Sequence, residues 1–361
     1  MPTTRGRCLR LQRVAAICIA GLASHSLHFE GSFAAVNKIP KKVDAGALAQ
    51  HGEDFCNELK HRGFAIVGFD LTKRRDALDW LESLAGKEDL QLANCGLQPG
   101  QARHETVSFP RPLQRLDLIP SDAAIEDTGA AAAVHLAREL HNLSVSCLMA
   151  VARHENMPEL LDLVAETPEP LHAAKEPSFL RANIYAGQDS AGPCWHLDLG
   201  LLTVAPAGSW PALMASPFHE AVGETAFLEE LLDPDRDVLV FAGTALAVAT
   251  AGRYTGLVHG VSAGRLKQTG TRVSMPYFLR PRSGAVLHKP VFSDEGLAYL
   301  YPAAVQPAGG AAVQPTLNGM LDLLRFHRDL YGRLCTRGQV VPMSVFSKPE
   351  LQEKVRHGFY L

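Results

Sequence analysis

The stretch W-H-L-D-L-G-L-L-T-V-A-P (Trp195–Pro206) decides how the rest of the chain is read. It sets His196 and Asp198 two residues apart within an apolar run. In a β-strand residues i and i+2 project from one face. An imidazole and a carboxylate would then stand side by side, with Leu197 and Leu199 buried on the other face. That pair supplies two corners of a metal site.

Toward the C-terminus two further features fall in order. His259 lies about sixty residues on, in T-G-L-V-H-G-V, again apolar and strand-like. Arg272-Val273-Ser274 follows in R-V-S-M-P-Y-F. Two neutral imidazoles and one carboxylate leave coordination positions open, which suits ferrous iron. Arg272 and Ser274, again i and i+2, place a forked cation and a hydroxyl on one face, and a guanidinium binds a carboxylate bidentately. His219 is the competing third ligand, but it sits beside Glu220 in a Pro- and Glu-rich loop, whereas His259 sits in a strand-like run. His288 precedes Pro290 in a basic patch and reads as surface, and His135 and His141 read as surface or core-edge residues of a helix.

Around this centre the chain divides into four parts: 1–37, 38–170, 171–285 and 286–361. Residues 1–42 carry seven Lys/Arg against Glu30 alone, a balance of +6, so the net charge of -3 leaves -9 on the remainder. An acidic body argues against nucleic acid as partner. Arg5, Arg7, Arg10 and Arg13 ahead of the apolar Val14–Ala23 describe a targeting segment, Arg-rich and acid-poor as in import into a mitochondrion or plastid; without it the expected location is cytoplasmic. No apolar run reaches the roughly 18–20 residues of a membrane span. Seven scattered cysteines without C-x-x-C spacing fit reduced thiols, and Cys194 reads as a small buried hydrophobe.

From Val43, the residues Ala47, Leu48, His51, Phe55 and Leu59 predict a helix ending at Gly63. Phe64–Phe69 predicts a strand and Arg74–Leu84 a second helix. Residues 86–120 are polar and Pro-punctuated and read as a loop-rich, substrate-facing segment whose Arg103, Arg111 and Arg115 are taken as solvated. A long helix is expected from Ser121 to about Arg153, and a short one over 157–166. Strands are expected at Ser178–Tyr185, Cys194–Val204, Val238–Phe241, Ala245–Thr250, Leu257–Val261 and Arg272–Leu279. Pro302–Pro315 reads as a connecting loop, and Leu317 to Tyr331 as a C-terminal amphipathic helix. The fold class is mainly β with flanking helices, a sandwich or barrel rather than a βαβ fold.

These residues resemble the iron- and 2-oxoglutarate-dependent dioxygenases of the isopenicillin-N-synthase-like branch, over roughly residues 38–285. Leu180-Arg181-Ala182-Asn183-Ile184-Tyr185 looks like that family's L-R-x-N-x-Y element. His196-x-Asp198-x-Gly200 with Thr203 is similar to its proximal metal motif, Asp237–Thr244 to the strand and Gly turn before the last ligand, and Arg272-x-Ser274 with Phe278 and Pro281 to its closing strand. Gly260 stands where the family has Arg after the distal His, and Ala186-Gly187-Gln188 replaces its Pro-Pro-Cys.

The resemblance implies a double-stranded β-helix (jelly-roll) core in a monomer. It implies Fe(II) held by His196, Asp198 and His259, and 2-oxoglutarate as co-substrate against Arg272, Ser274, Tyr185 and Asn183. Dioxygen (O2) is the oxidant, ascorbate an accessory reductant, and a small molecule the substrate, without stable membrane insertion. Three alternatives stay open from the sequence: an oxidase of the same branch that does not use 2-oxoglutarate, a non-catalytic binding protein on the same barrel, and a hydrolytic zinc site.

Overall fold

A computed structural model of the chain describes residues 40–85, 97, 100–107, 113–120, 125, 127–165, 178–185, 198, 200–215, 227–250, 253–254, 256–257, 259–261, 270–282, 285–287 and 341–342. The basic N-terminal segment, the C-terminal helix expected over Leu317 to Tyr331, the loop at Pro302–Pro315, and residues His196, His219 and Cys194 lie outside the described residues.

Short strands rich in Val, Leu, Phe and Ala alternate with helices, and one nine-stranded sheet organises them. Its strands are β1 (Lys42–Asp44), β2 (Phe64–Gly68), β3 (Ala102–Val107), β4 (Leu113–Leu118), β5 (Phe179–Tyr185), β6 (Leu202–Pro206), β8 (Asp237–Ala242), β10 (Arg272–Ser274) and β11 (Tyr277–Leu279). The order is β1-β2-β8-β6-β11-β5-β4-β3, with β10 also on β5. Only β1 and β2 are parallel within it. Two small sheets pair β7 (Leu213–Ala215) with β9 (His259–Val261), and β12 (Val286–Leu287) with β13 (Val341–Pro342).

Strand periodicity gives this sheet two unlike faces. On one, Ala65, Val67, Leu116, Leu118, Leu180, Ala182, Ile184, Leu202, Val204, Val238, Val240 and Val273 are buried in the main core. Three helices cover it: α1 (Leu48–Arg62), α2 (Arg74–Ser83) and α3 (Thr128–His154). Gly63 closes α1 in the left-handed region, φ 75°, with its N–H on Leu59 O at 3.1 Å. Asp127 caps α3 by accepting from the Ala130 N–H at 2.8 Å, so that helix begins seven residues beyond the Ser121 expected to open it. The short helix expected over 157–166 is a 3-10 turn, Pro158–Leu163. No helix of the described residues is long and apolar enough to cross a membrane.

Four sequence expectations are corrected. The segment 86–120, read as loop, contains the antiparallel β3–β4 hairpin, in register from Ala102↔Leu118 to Val107↔Leu113. The alternation is present in β4, where Leu116 and Leu118 are buried, but the edge strand β3 is polar on both sides and hides it. The strand expected at Ala245–Thr250 is instead the helix α4 (Thr244–Ala249). Its run T-A-L-A-V-A is built on the best helix former, and the Ala245 and Ala247 N–H groups find the carbonyls of Gly200 and Gly243. The strand expected over Arg272–Leu279 breaks at Met275-Pro276 into β10 and β11, because proline cannot donate to the ladder. Arg181 N–H bonds the Pro276 carbonyl across the break at 2.9 Å. Finally, within the strand expected at Cys194–Val204 the described residues Asp198, Gly200 and Leu201 are not strand, and β6 begins at Leu202, so Asp198 stands on irregular backbone.

Candidate active site

The second face of the sheet carries the polar residues singled out in the sequence. Asp198 is buried ahead of β6 and is held there by Thr203, whose Oγ1 donates to Asp198 Oδ2 at 2.6 Å. The chain reaches β6 through a close approach of two glycines. A Cβ on Gly243 would lie 2.2 Å from the Gly200 carbonyl oxygen, and one on Gly200 would lie 2.7 Å from that of Leu279. Only glycine fits at either position, which explains both residues of the H-x-D-x-G and F-A-G elements.

His259 comes from β9, opposite Ala215 of β7. Its Nδ1–H donates to the Leu257 carbonyl at 2.9 Å, which fixes the tautomer and turns Nε2 toward Asp198 Oδ2 at 3.8 Å. The ring packs edge-on against Phe241, centroids 4.7 Å apart. Asp198 and His259, far apart in sequence, therefore converge with the geometry of two ligands to one ion. His196, the third member of the expected triad, lies outside the described residues.

The two polar motifs converge as well. β10 pairs antiparallel with β5 so that Arg272 is opposite Tyr185 and Ser274 opposite Asn183. Directly opposed residues share a face, so all four expected residues form one block. The Arg272 guanidinium lies over the Tyr185 ring at 5.6 Å.

Arg272 also has a partner that sequence reasoning missed. Its Nη2 donates to both oxygens of Glu229, at 2.8 and 3.0 Å, and its Nε donates to the Trp210 carbonyl at 3.2 Å. Glu229 further accepts the N–H groups of Gly208, Ala212 and Leu213 at 2.7 to 2.8 Å. Burial would raise the Glu229 carboxyl, but Arg272 and the three amides outweigh it and hold the group below the usual carboxylate range. Arg272 Nη1, fully buried, has no hydrogen-bond partner among the described residues. A sequence signal existed for Glu229, a charged residue inside the apolar F-L-E-E-L-L run.

A second arginine–carboxylate cluster stands on the same face. Arg181 of β5 is two residues before Asn183 and directly opposite Asp117 of β4. Its Nε and Nη2 reach Asp117 Oδ1 and Oδ2 at 2.7 and 2.9 Å. Arg103 of β3, expected to be solvated, instead donates its Nη2 to Asp117 Oδ2 at 2.6 Å, with half of its side chain exposed. Burial would raise the Asp117 carboxyl, yet the two guanidiniums hold it low. Burial would likewise lower Arg181, but Asp117 more than offsets it, and Asp198 lies near enough to add in the same direction. Burial brings Arg280 down to about 10, with Asp117 opposing and Arg103 adding to the fall.

Of the histidines read as non-ligands, His141 is buried on the helix-covered face, its Nδ1 2.8 Å from Tyr277 Oη, and His135 is half-exposed beside Glu139 on α3.

No family model matches the sequence, and no curated protein sequence matches it. Solved structures do match in fold. A full-length Neurospora crassa protein in complex with alpha-ketoglutarate and thymine superposes with a TM-score of 0.51 at 14% identity, covering 72% of this chain and 91% of that one. The Arabidopsis thaliana dioxygenase for auxin oxidation 1, in a binary complex with 2-oxoglutarate, superposes at 0.50 with 16% identity, over 68% of this chain and 93% of that one. JOX2 in complex with 2OG, Fe and JA superposes at 0.51 with 16% identity, over 71% and 80%. The mainly β chain with flanking helices thus has the fold of 2-oxoglutarate-dependent oxygenases, in agreement with the resemblance carried by its motifs.

Proposed function

We propose that this chain is an Fe(II)- and 2-oxoglutarate-dependent dioxygenase that hydroxylates or desaturates a small organic substrate on a double-stranded β-helix core. The observation that carries the reading is the cross-strand register: Arg272 opposite Tyr185 and Ser274 opposite Asn183, on the face where Thr203 holds Asp198 beside His259. Neighbours of the same fold bind 2-oxoglutarate, and one of them iron. The donor set fits the groups it would take. One carboxylate and two imidazoles, His196, Asp198 and His259, suit Fe(II) with positions left open.

The buried and unpartnered Nη1 of Arg272, two residues from the Ser274 hydroxyl, suits one end of a dicarboxylate. Iron with 2-oxoglutarate and O2 would supply oxidation of an unactivated C–H bond, with release of succinate and CO2. The chain's own residues do the rest. Thr203 fixes the Asp198 carboxylate, the Leu257 carbonyl fixes the His259 tautomer, and Glu229 fixes the Arg272 fork. The apolar cluster of Phe64, Ile66, Leu239, Phe241 and Leu257 keeps water from that end of the face.

The test is an anaerobic spectral titration of the protein with Fe(II) and 2-oxoglutarate, followed by succinate release in air. Wild type should develop a metal-to-ligand absorption band and release succinate. Asp198→Ala and His259→Ala should do neither, and Arg272→Ala should raise the 2-oxoglutarate requirement while iron still binds. Oxygen consumption independent of 2-oxoglutarate would transfer the protein to the oxidase reading.

A further inference from the structure

We infer that Arg74, the first residue of α2, is a positioning residue for the co-substrate anchor Arg272, acting through a strap formed by residues 207–213. This rests on the oxygenase reading and deepens it. A cation in the first turn of a helix works against the helix dipole, and Arg74 is also buried there. Its guanidinium is committed to three acceptors. Nε donates to the Ala207 carbonyl at 3.0 Å, Nη2 to that of Gly208 at 2.9 Å, and Nη1 to Asp235 Oδ1 at 3.2 Å. Burial lowers the group, while Asp235 and then Glu229 oppose the fall. The backbone ahead of α2 is tied down as well. The N–H groups of Phe69 and Leu71 donate to the Arg236 and Asp235 carbonyls at 2.8 and 3.1 Å.

The two carbonyls taken by Arg74 open a strap whose other polar groups meet Glu229 and β10. The Gly208 N–H donates to Glu229 Oε1, and those of Ala212 and Leu213 to Oε2. Ser209 exchanges two bonds with Val273: its N–H donates to the Val273 carbonyl at 2.8 Å, and its Oγ accepts the Val273 N–H at 3.0 Å. The Trp210 indole N–H donates to the Thr271 carbonyl at 3.0 Å, and the Trp210 carbonyl accepts Arg272 Nε. The strap therefore grips the chain on either side of Arg272. It has no slack there: a Cβ on Gly208 would lie 2.9 Å from Arg272 Nη2 and from the Val273 carbonyl oxygen. Two contacts orient the Arg272 fork, Trp210 at Nε and Glu229 at Nη2. The first belongs to the strap, and the second is held by it. What they aim is Nη1, the nitrogen with no partner among the described residues. The proposed metal ligands are steadied elsewhere, Asp198 by Thr203 and His259 by the Leu257 carbonyl. Loss of Arg74 should thus release the strap and loosen the co-substrate anchor while sparing the metal.

The experiment uses full-length protein under anaerobic conditions. Fe(II) affinity is measured by competition with a chelator, without 2-oxoglutarate. The 2-oxoglutarate dissociation constant is then read from the absorption band at saturating Fe(II). Arg74→Met should raise that constant about tenfold, the size expected when a partner that orients a ligating group is lost, and should leave Fe(II) affinity within about twofold of wild type. Arg74→Lys keeps the charge but not the fork, and should restore only part of the loss. Ile184→Ala, which removes core volume, supplies the comparison for a merely structural effect and should leave the constant unchanged. An unchanged constant in Arg74→Met, an equal loss of Fe(II) affinity, full rescue by Arg74→Lys, or the same rise in Ile184→Ala overturns the role. If Arg74→Met does not fold, Gly208→Ala decides. Its methyl group would push on Arg272 Nη2 and the Val273 carbonyl, so the constant should rise with Fe(II) affinity spared, and an unchanged constant overturns the role. A wild type that binds Fe(II) but gives no band with 2-oxoglutarate removes the oxygenase reading and this role with it. A wild-type band that the variants titrate equally well removes the role alone.

Discussion

The two faces of the nine-stranded sheet are made by alternate residues of the same strands, yet they answer to different demands. On β5, Leu180, Ala182 and Ile184 are buried in the core beneath α2 and α3, while Arg181, Asn183 and Tyr185 face the candidate site. On β6, Leu202 and Val204 belong to the core, and Thr203 between them holds Asp198. The helix-covered face needs only apolar volume, whereas the other must keep buried charge satisfied. A period of two lets one strand do both, and a slip of one residue in register would exchange them.

That contrast breaks most sharply at Glu229, where the chemical face should prove as important to stability as the core. Glu229→Gln removes one partner of a fully buried ion pair and leaves the Arg272 charge uncompensated, a change that costs about 3–5 kcal/mol of unfolding free energy. Urea unfolding at neutral pH measures it. The pH dependence gives an independent sign. The folded-state pKa of Glu229 is depressed, so its contribution is complete above the unfolded carboxylate value of about 4.3 and is lost as pH falls through the lower folded value. Wild type should therefore lose stability steeply below about pH 4. Glu229→Gln should show a shallower acid slope but not a flat one, because Asp117 is depressed in the same way. An unchanged slope would mean that Glu229 is not ionised in the folded protein.

On the apolar face, Ile184→Ala should cost about 2–5 kcal/mol through lost burial and the cavity left behind. The 2-oxoglutarate requirement of the folded fraction should not change, although Ile184 lies between Asn183 and Tyr185 in the chain. A large rise in that requirement would show that the faces are coupled through the backbone of β5 and are not independent.

The motifs themselves were legible because their spacing is local. N-x-Y and R-x-S each declare a shared face by the i, i+2 rule, and β10 and β5 carry them as expected. What no local pattern states is register, and register is what makes four residues into one site. The same limit hid Glu229 and Asp117. Their partners are 43 and 64 residues away in sequence, so a Glu in F-L-E-E-L-L and an Asp in L-D-L carried no indication of which arginine each would meet. The pairing of Arg103 is hidden for the same reason, since its hairpin strand is polar on both sides and its counter-ion belongs to β4. Two errors were of another kind. The apolar run Ala245–Thr250 has no periodicity that separates a short strand from a short buried helix. The H-x-D motif has the i, i+2 spacing of a strand, but the chain at Gly200 and Leu201, where Gly200 meets Gly243, is not strand and β6 begins only after them.

The smallest expected effect is the most discriminating. Thr203→Val keeps the shape and burial of the side chain and removes one O–H donor from Asp198 Oδ2. A single hydrogen bond of this kind, made to a charged group inside the protein, is worth about 1–3 kcal/mol. Thr203 sits in a strand whose neighbours Leu202 and Val204 are wholly apolar, so valine suits the backbone, and the fold should lose no more than that amount. The consequence at the site is larger relative to its cause. A carboxylate released from its orienting donor can turn, and loss of such support lowers metal affinity by about 10–100-fold. Competition with a chromophoric chelator measures this in the variant beside wild type. A weaker hold on Fe(II) with nearly unchanged unfolding would assign Thr203 to the site and not to the core. Equal metal affinity would mean that the bond to Asp198 serves only to satisfy a buried hydroxyl, and the division of labour along β6 would then be one of packing alone.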